Sequence, residues 1–156
     1  MIRQGISSGG GGGGGIDGPT FRAYLSSNAG AITSGPTTIV FDTVDFDSDG
    51  AYDAATGIYD VATAGVFLVT AKVADYGGAG AQADASITVN SVLVARGTLP
   101  TTTGIEDTYV VTTHLNLAVG DAVLIEIQVF GGTVTPRGDS GGVRSYFSMA
   151  RVGSTP

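Results

Sequence analysis

The few residues of this chain that could do chemistry begin with a serine in a glycine-rich stretch. Gly138–Gly142 reads Gly-Asp-Ser-Gly-Gly, and one histidine, His114, lies upstream of Ser140. A serine becomes a nucleophile only when a base lies within hydrogen-bond reach and a third group orients that base. Serine proteases with this motif build the arrangement between two barrels, and the short stretch from His114 to Ser140 leaves no room for a second one. Strand alternation also places His114 on a polar face, so we expect a plain turn and a protein that is not an enzyme.

Three acidic residues form the second group. Asp45, Asp47 and Asp49 with Gly50 mimic the first half of a calcium-binding loop. An EF-hand would need a glutamate where Thr56 stands, and flanking helices, which the sequence does not predict. Two interpretations stay open: a solvated acidic loop between strands, and a calcium site of another geometry. Calcium is the one cofactor kept open, because nothing near these carboxylates would raise a pKa for glycosidase chemistry.

Composition limits the classes of partner. The 156 residues include 14 acidic and 7 basic side chains, which give a formal net charge of −7. Binding to nucleic acid or to an anionic membrane needs a basic patch, so neither is expected. Cysteine is absent, which excludes thiol chemistry. Only 13% of the residues are charged, and we expect the resulting weakly polar surface to be shared with identical subunits.

The start of the chain differs in kind from the rest. Seven consecutive glycines, Gly9–Gly15, separate a short stub from the remainder, and oligoglycine is typical of a flexible tether. Met1–Ile6 lacks the apolar segment of a signal peptide, so we expect synthesis in a cytoplasm without export. We predict an anchor and tether over residues 1–17 and a head domain over 18–156. The predicted anchor positions are Ile2, Arg3, Ile6, Gly9 and Gly15.

The elements that position these residues are strands. Apolar residues alternate with polar ones in run after run, glycine, aspartate, proline and serine turns separate the runs, and no segment has a sustained helical period. The predicted runs are Phe21–Leu25, Thr38–Phe41, Gly57–Val61, Val66–Val73, Ser86–Val89, Val92–Ala95, Tyr109–Leu117, Val123–Val129 and Ser145–Val152. Asn90-Ser91 reads as a hairpin turn. We predict an all-β, antiparallel, two-sheet sandwich.

Six motifs in this order resemble one family. They are Phe21–Leu25, Ile39–Asp42, Tyr52–Tyr59, Ala64–Val69, Leu115–Val123 and Ser145–Met149. The clearest is Tyr52–Tyr59, Tyr-Asp-Ala-Ala-Thr-Gly-Ile-Tyr. The chain is similar to the trimeric jelly-roll head of complement's first component, in the tumour-necrosis-factor-like superfamily. Met149 stands where that family usually has glycine, and neither a collagen stalk nor a cysteine is present.

The resemblance implies a jelly-roll fold and a homotrimer. It also implies core or trimer-interface roles for Phe21, Tyr52, Tyr59, Phe67, Tyr146 and Phe147. The absence of a collagen stalk and of cysteine, and Met149 in place of the usual glycine, favour a head of the kind borne by bacteriophage particles. We expect a capsid decoration, head fibre or tail appendage on the virion surface, assembled in the host cytoplasm and docked through residues 1–17 to a capsid or tail protein. The alternative is a lectin-like or adhesin-like module that recognises a host-surface glycan or protein through the loops Asp75–Asp84 and Thr101–Asp107.

Overall fold

The chain folds into strands alone over the part that the structure describes. The computed structural model describes residues 18, 20–75, 80–99 and 106–154. The strands in these ranges are β1 (Thr20–Tyr24), β2 (Gly35–Thr38), β3 (Thr43–Asp47), β4 (Tyr52–Asp53), β5 (Ile58–Asp60), β6 (Gly65–Asp75), β7 (Gln82–Val89), β8 (Val92–Leu99), β9 (Asp107–Leu117), β10 (Ala122–Gly131) and β11 (Tyr146–Gly153). A search of these residues for a helix with the length and hydropathy to cross a bilayer found no candidate.

The strands form two sheets whose neighbours are mostly distant in sequence. The five-stranded sheet has the order β3-β1-β11-β6-β9, and the other has the order β4-β5-β10-β7-β8 with β2 beside β10. Every pairing is antiparallel, and the first strand pairs with the last, Phe21 opposite Met149. The predicted all-β jelly-roll sandwich is confirmed.

Alternation along each strand builds one shared core. On β10, Val123, Ile125 and Ile127 are fully buried, whereas Glu126 and Gln128 are partly exposed. Successive strand residues point to opposite sides, so each sheet turns one side to the core and the other to solvent. The inward and outward positions predicted for this strand are confirmed.

Aromatic rings fill one part of the core. The centroid of the Phe21 ring lies 4.7 Å from that of Tyr52, 5.1 Å from that of Tyr59 and 5.0 Å from that of Phe147. The Tyr52 hydroxyl donates to the carbonyl of Phe41 at 3.1 Å and accepts from its N–H at 3.0 Å. Burial is the main cause that raises the pKa of Tyr52 to about 12.

Two turns have the backbone that their residues predict. Asn90 and Ser91 both have positive φ, 51° and 65°, as a two-residue type I′ hairpin requires. Gly57 has φ +80°, and a Cβ there would lie 2.9 Å from the carbonyl oxygen of Ile39. Only glycine suits this second turn, which precedes β5.

The stretch predicted as an acidic loop is the main correction to the fold. Thr43–Asp47 is strand β3, which pairs with β1 along the edge of the five-stranded sheet. The aspartates that alternate along this strand made the sequence read as a loop. Asp45 forms an ion pair with Arg22 of β1 at 2.6 Å. The run predicted at Thr38–Phe41 is also displaced, because the strand beside β10 is Gly35–Thr38.

Candidate functional site

The serine-centred stretch is a loop organised by its aspartate. The carboxylate of Asp139 accepts N–H bonds from Gly141 at 2.8 Å, Arg144 at 2.8 Å and Val143 at 3.3 Å. Desolvation raises the pKa of Asp139, but these bonds and the charge of Arg144 outweigh it and lower that pKa. Ser140 is exposed beside this turn.

The histidine and the serine loop contact different parts of the five-stranded sheet. His114 on β9 lies opposite Leu68 on β6, whereas the loop contacts β6 through the Lys72 Nζ, which donates to the carbonyl of Val143 at 2.8 Å. Four strand residues separate these two points, roughly 13 Å at the usual rise per residue. The geometry therefore does not support a nucleophile–base pair between Ser140 and His114.

The three aspartates of the calcium hypothesis bind separate partners. Asp47 accepts the N–H of Tyr52 at 2.9 Å and that of Asp49 at 3.3 Å, while Asp45 pairs with Arg22. Within the described ranges, no three histidine or acidic side chains are grouped so that they could hold a metal ion. These carboxylates hold turns and an edge strand together, and the calcium hypothesis has no assembled ligand set there.

Some predicted positions lie outside the described residues. These are the anchor positions Ile2, Arg3, Ile6, Gly9 and Gly15, together with residues 76–79 and 101–105 of the two candidate loops. The boundaries of the first loop need correction, because Asp75 ends β6 and Asp84 lies inside β7 at 3% exposure.

The six aromatic residues named from the sequence divide between two settings. Five are core residues: Phe21, Tyr52, Tyr59, Phe67 and Phe147. Tyr146 alone is partly exposed, on the outward side of β11. It lies opposite Tyr24 of β1 and Lys72 of β6. These five side chains are buried in the core, whereas Tyr146 belongs to an outer surface.

That outer surface, here called the five-strand face, is the solvent side of the five-stranded sheet. Residues directly opposite in an antiparallel pair share a side of the sheet, so the register defines its members. They are Thr43 and Phe46 on β3, Thr20, Arg22 and Tyr24 on β1, Val66, Leu68, Thr70 and Lys72 on β6, Val110, Thr112, His114 and Asn116 on β9, and Tyr146, Ser148 and Ala150 on β11. Most carry apolar groups or hydroxyls, and all are partly or fully exposed.

The charges on the five-strand face are bound within the chain. Arg22 pairs with Asp45, and its guanidinium lies 5.0 Å from the centroid of the Tyr146 ring. The Lys72 ammonium donates to the carbonyl of Val143. The neutral residues between them leave little to desolvate, which suits contact with another protein surface.

The sequence contained a signal for this surface that the motifs did not use. Three successive outward positions of β6, Val66, Leu68 and Thr70, precede Lys72 and are uncharged, and so are the facing positions Ser148 and Ala150 on β11. A strand with solvent on one side usually carries charged residues there. To recognise that charged residues are missing from the centre of this face, one needs the strand register, which the sequence alone does not supply.

Comparison with solved structures places this sandwich among known folds. The globular domain of zebrafish complement 1qA protein is 14% identical with a TM-score of 0.63, and the match covers 88% of this chain and 100% of that chain. Murine APRIL at pH 5.0 is 9% identical with a TM-score of 0.64, over 85% of this chain and 98% of that chain. Eiger TNF from S. frugiperda is 13% identical with a TM-score of 0.57, over 88% and 93%. At these identities the likeness shows the fold alone.

Sequence comparison gives the family. No curated protein matches the chain significantly. The model of the C1q domain matches residues 20–148, which include every strand from β1 to β10 and the start of β11. The complement-type resemblance of the six motifs is thereby confirmed, and the chain belongs to the C1q domain family.

Proposed function

We propose that this protein is a non-enzymatic structural or binding module that forms a homotrimer through the five-strand face. C1q domains are typically trimeric modules, and self-association is therefore the expected behaviour of a member. The observation that carries the proposal is the composition of that face. Leu68 lies at its centre between Ala150 and His114, and the cations Arg22 and Lys72 are already bound within the chain.

The physical argument is one of desolvation. Unpaired charges resist removal from water most strongly, whereas apolar groups do not, and a hydroxyl costs little when it is already hydrogen-bonded, as Thr112 is to Thr70. Val110 is 55% exposed and Phe46, opposite Arg22 on β3, is 48% exposed. Covering such residues with a second and a third copy of the chain removes apolar surface from water at little polar cost.

Cysteine accessibility tests whether the five-strand face is covered in solution. The chain has no cysteine, so a single introduced thiol reports one position. Val110→Cys on the five-strand face should react with a thiol reagent at least about tenfold more slowly than Val92→Cys, a β8 position that is 62% exposed. Equal rates for the two thiols would contradict assembly through this face.

We further propose that residues 1–17 attach the head to the surface of a bacteriophage virion, as a capsid decoration, head fibre or tail appendage. Support comes from the glycine run, which separates a short stub from a domain that begins at residue 20. The trimer would be assembled in the host cytoplasm and bound to a capsid or tail protein through the stub. Deleting residues 1–17 should abolish attachment to particles and leave the head trimeric. Attachment of the truncated head would contradict this role.

A second candidate function is recognition of a host-surface glycan or protein. It is favoured by a polar groove on the solvent side of the other sheet, whose lining includes Ser86, Arg96 and Glu126. Binding and virion attachment are compatible, because the groove and the N-terminal stub are separate parts of the chain.

A further inference from the structure

The solvent side of the six-stranded sheet carries a groove of about 180 Å³. Its floor is β7 and its walls are the neighbouring strands β10 and β8. The lining residues are Ser86 and Thr88 on the floor, Glu126 and Gln128 on β10, Leu93 and Arg96 on β8, and Pro36 and Ser91 at the ends. We call it the outer groove.

Side-chain length explains why a groove forms here. Ser86 lies directly between Glu126 on one side and Arg96 on the other. Short side chains on β7 are thus flanked by long ones on both neighbours. Although Ser86 and Thr88 point away from the core, they are only 5% and 4% exposed. The longer side chains of β8 and β10 therefore cover most of the floor.

The floor holds a buried hydroxyl with an unfilled hydrogen-bonding capacity. Oγ1 of Thr88 has no hydrogen-bond partner in the described part of the chain, whereas Oγ of Ser86 donates to the carbonyl of Glu126 at 3.3 Å. Buried hydroxyls are nearly always paired, and an unpaired one is costly until something supplies a partner. A ligand that carries hydroxyl groups would supply it once the Thr88 side chain turns towards the groove.

The charges around the outer groove select against anions. Arg96 pairs at 3.1 Å with Asp84, whose side chain is only 4% exposed, so the guanidinium is already neutralised. Glu126 then remains as a carboxylate in a protein of net charge −7. Anionic ligands would be repelled. A neutral ligand rich in both donors and acceptors is compatible with these groups.

We infer that the outer groove binds one ring of a neutral carbohydrate. The carboxylate of Glu126 accepts hydrogen bonds from sugar hydroxyls, the amide of Gln128 and the exposed side of Arg96 donate them, and Thr88 can do either. Pro36 at one end and Leu93 on the β8 wall contact the C–H groups of the sugar ring. The volume is smaller than the roughly 300–1,000 Å³ of sites for drug-sized ligands, which suits a single ring.

The inference deepens the second candidate function and rests on it for the idea that this protein recognises a glycan. It moves the site from the loops predicted from the sequence to the solvent side of β7. The outer groove and the five-strand face lie on opposite sides of the sandwich. The groove therefore stays open when the trimer forms, and the two proposals can fail separately.

The test is saturation-transfer NMR on the full-length protein with glucose, galactose, mannose and N-acetylglucosamine, with sialic acid as the anionic comparison. At least one neutral sugar should bind and sialic acid should not. Glu126→Gln and Thr88→Val should each weaken that binding at least about tenfold. Thr70→Val, on the five-strand face, should leave it unchanged.

Three outcomes would overturn the inference: no neutral sugar binds, binding survives Glu126→Gln unchanged, or only sialic acid binds. Melting temperature and solution mass of each variant separate lost binding from lost folding. Sugar binding by a monomeric protein would support the outer groove and contradict the proposed trimer. A trimer that binds no neutral sugar would support assembly through the five-strand face and contradict the proposed role of the outer groove.

Discussion

The solvent sides of the two sheets are made by the same alternation and differ in what they present. At the centre of the five-strand face, the outward residues Leu68 and Thr70 are neutral, and the hydroxyl of Thr112 donates to that of Thr70 at 3.2 Å. At the centre of the other sheet, Glu126 lies opposite Ser86, and the buried hydroxyl of Thr88, two residues further along β7, has no partner in the described chain.

This difference shows that the two sheets of one sandwich can carry two kinds of surface. A surface that meets copies of itself gains from broad, neutral contact in which polar groups are already paired. A surface that binds a small ligand needs a few polar groups left unpaired in a concave place. The five-strand face fits the first description, and the outer groove fits the second.

The largest expected effect separates the two surfaces by a matched charge substitution. Leu68→Arg on β6 should weaken trimer formation at least about 100-fold, because burying an unpaired guanidinium costs several kcal/mol and each 1.4 kcal/mol is a factor of ten. Leu124→Arg, at an outward position of β10, should leave the trimer intact. Sedimentation equilibrium over a range of concentrations measures both. Dissociation in both variants or in neither would remove the distinction between the surfaces.

The next effect concerns the edge where β8 of one sheet meets β9 of the other. A Cβ at Gly97 would clash with the backbone carbonyl oxygen of Val110. Gly97→Ala should therefore lower the free energy of unfolding by about 1–3 kcal/mol through overpacking. Gly131→Ala is the control, because a Cβ there has no described atom within 4 Å. Equal denaturation midpoints for the two variants would show that this edge does not hold the sheets together.

Alkaline pH tests the core that both sheets share. Burial raises the pKa of Tyr52 to about 12, and it also raises the pKa values of Tyr59 and Tyr109. The folded state thus holds phenolic protons more tightly than the unfolded state, whose tyrosines titrate near pH 10. The tyrosine contribution to stability should be complete below pH 10 and fall as pH rises from 10 towards 12. Denaturant midpoints measured against pH should show this fall, and a flat profile over that window would contradict it.

The smallest expected effect is the change in stability when one threonine on each surface is replaced by valine. Thr70→Val removes a hydroxyl that is paired with Thr112 and should cost about 0.5–1.5 kcal/mol. Thr88→Val removes a buried hydroxyl that has no partner and should be neutral or stabilising. Thermal melting with sugar absent gives both values. A larger loss for Thr88→Val would mean that its hydroxyl is already satisfied.

The sequence predicted the parts of this fold that alternate cleanly. The strand Val123–Val129, the Asn90-Ser91 hairpin and the core aromatics follow from the side-chain period and from turn chemistry. Strand β3 escaped prediction because its aspartates read as a loop, although the edge position tolerates them. Edge strands gain less from burial, so their patterns are weaker.

The candidate sites were predicted less well, for a physical reason. Sequence reasoning considered Ser140 and His114 and rejected them as a catalytic pair, and it kept the three aspartates only as an open calcium hypothesis. The two surfaces instead depend on register, which brings Ser86 between Glu126 and Arg96 and Leu68 between Ala150 and His114. Such pairings join strands far apart in the chain, and local patterns do not specify them.

The most direct test of whether this protein forms a trimer is the solution mass of the full-length protein, measured by light scattering. Assembly through the five-strand face predicts a mass about three times 15.5 kDa, held on dilution. A mass near 15.5 kDa at all concentrations would contradict the account and leave the five-strand face without its proposed partner.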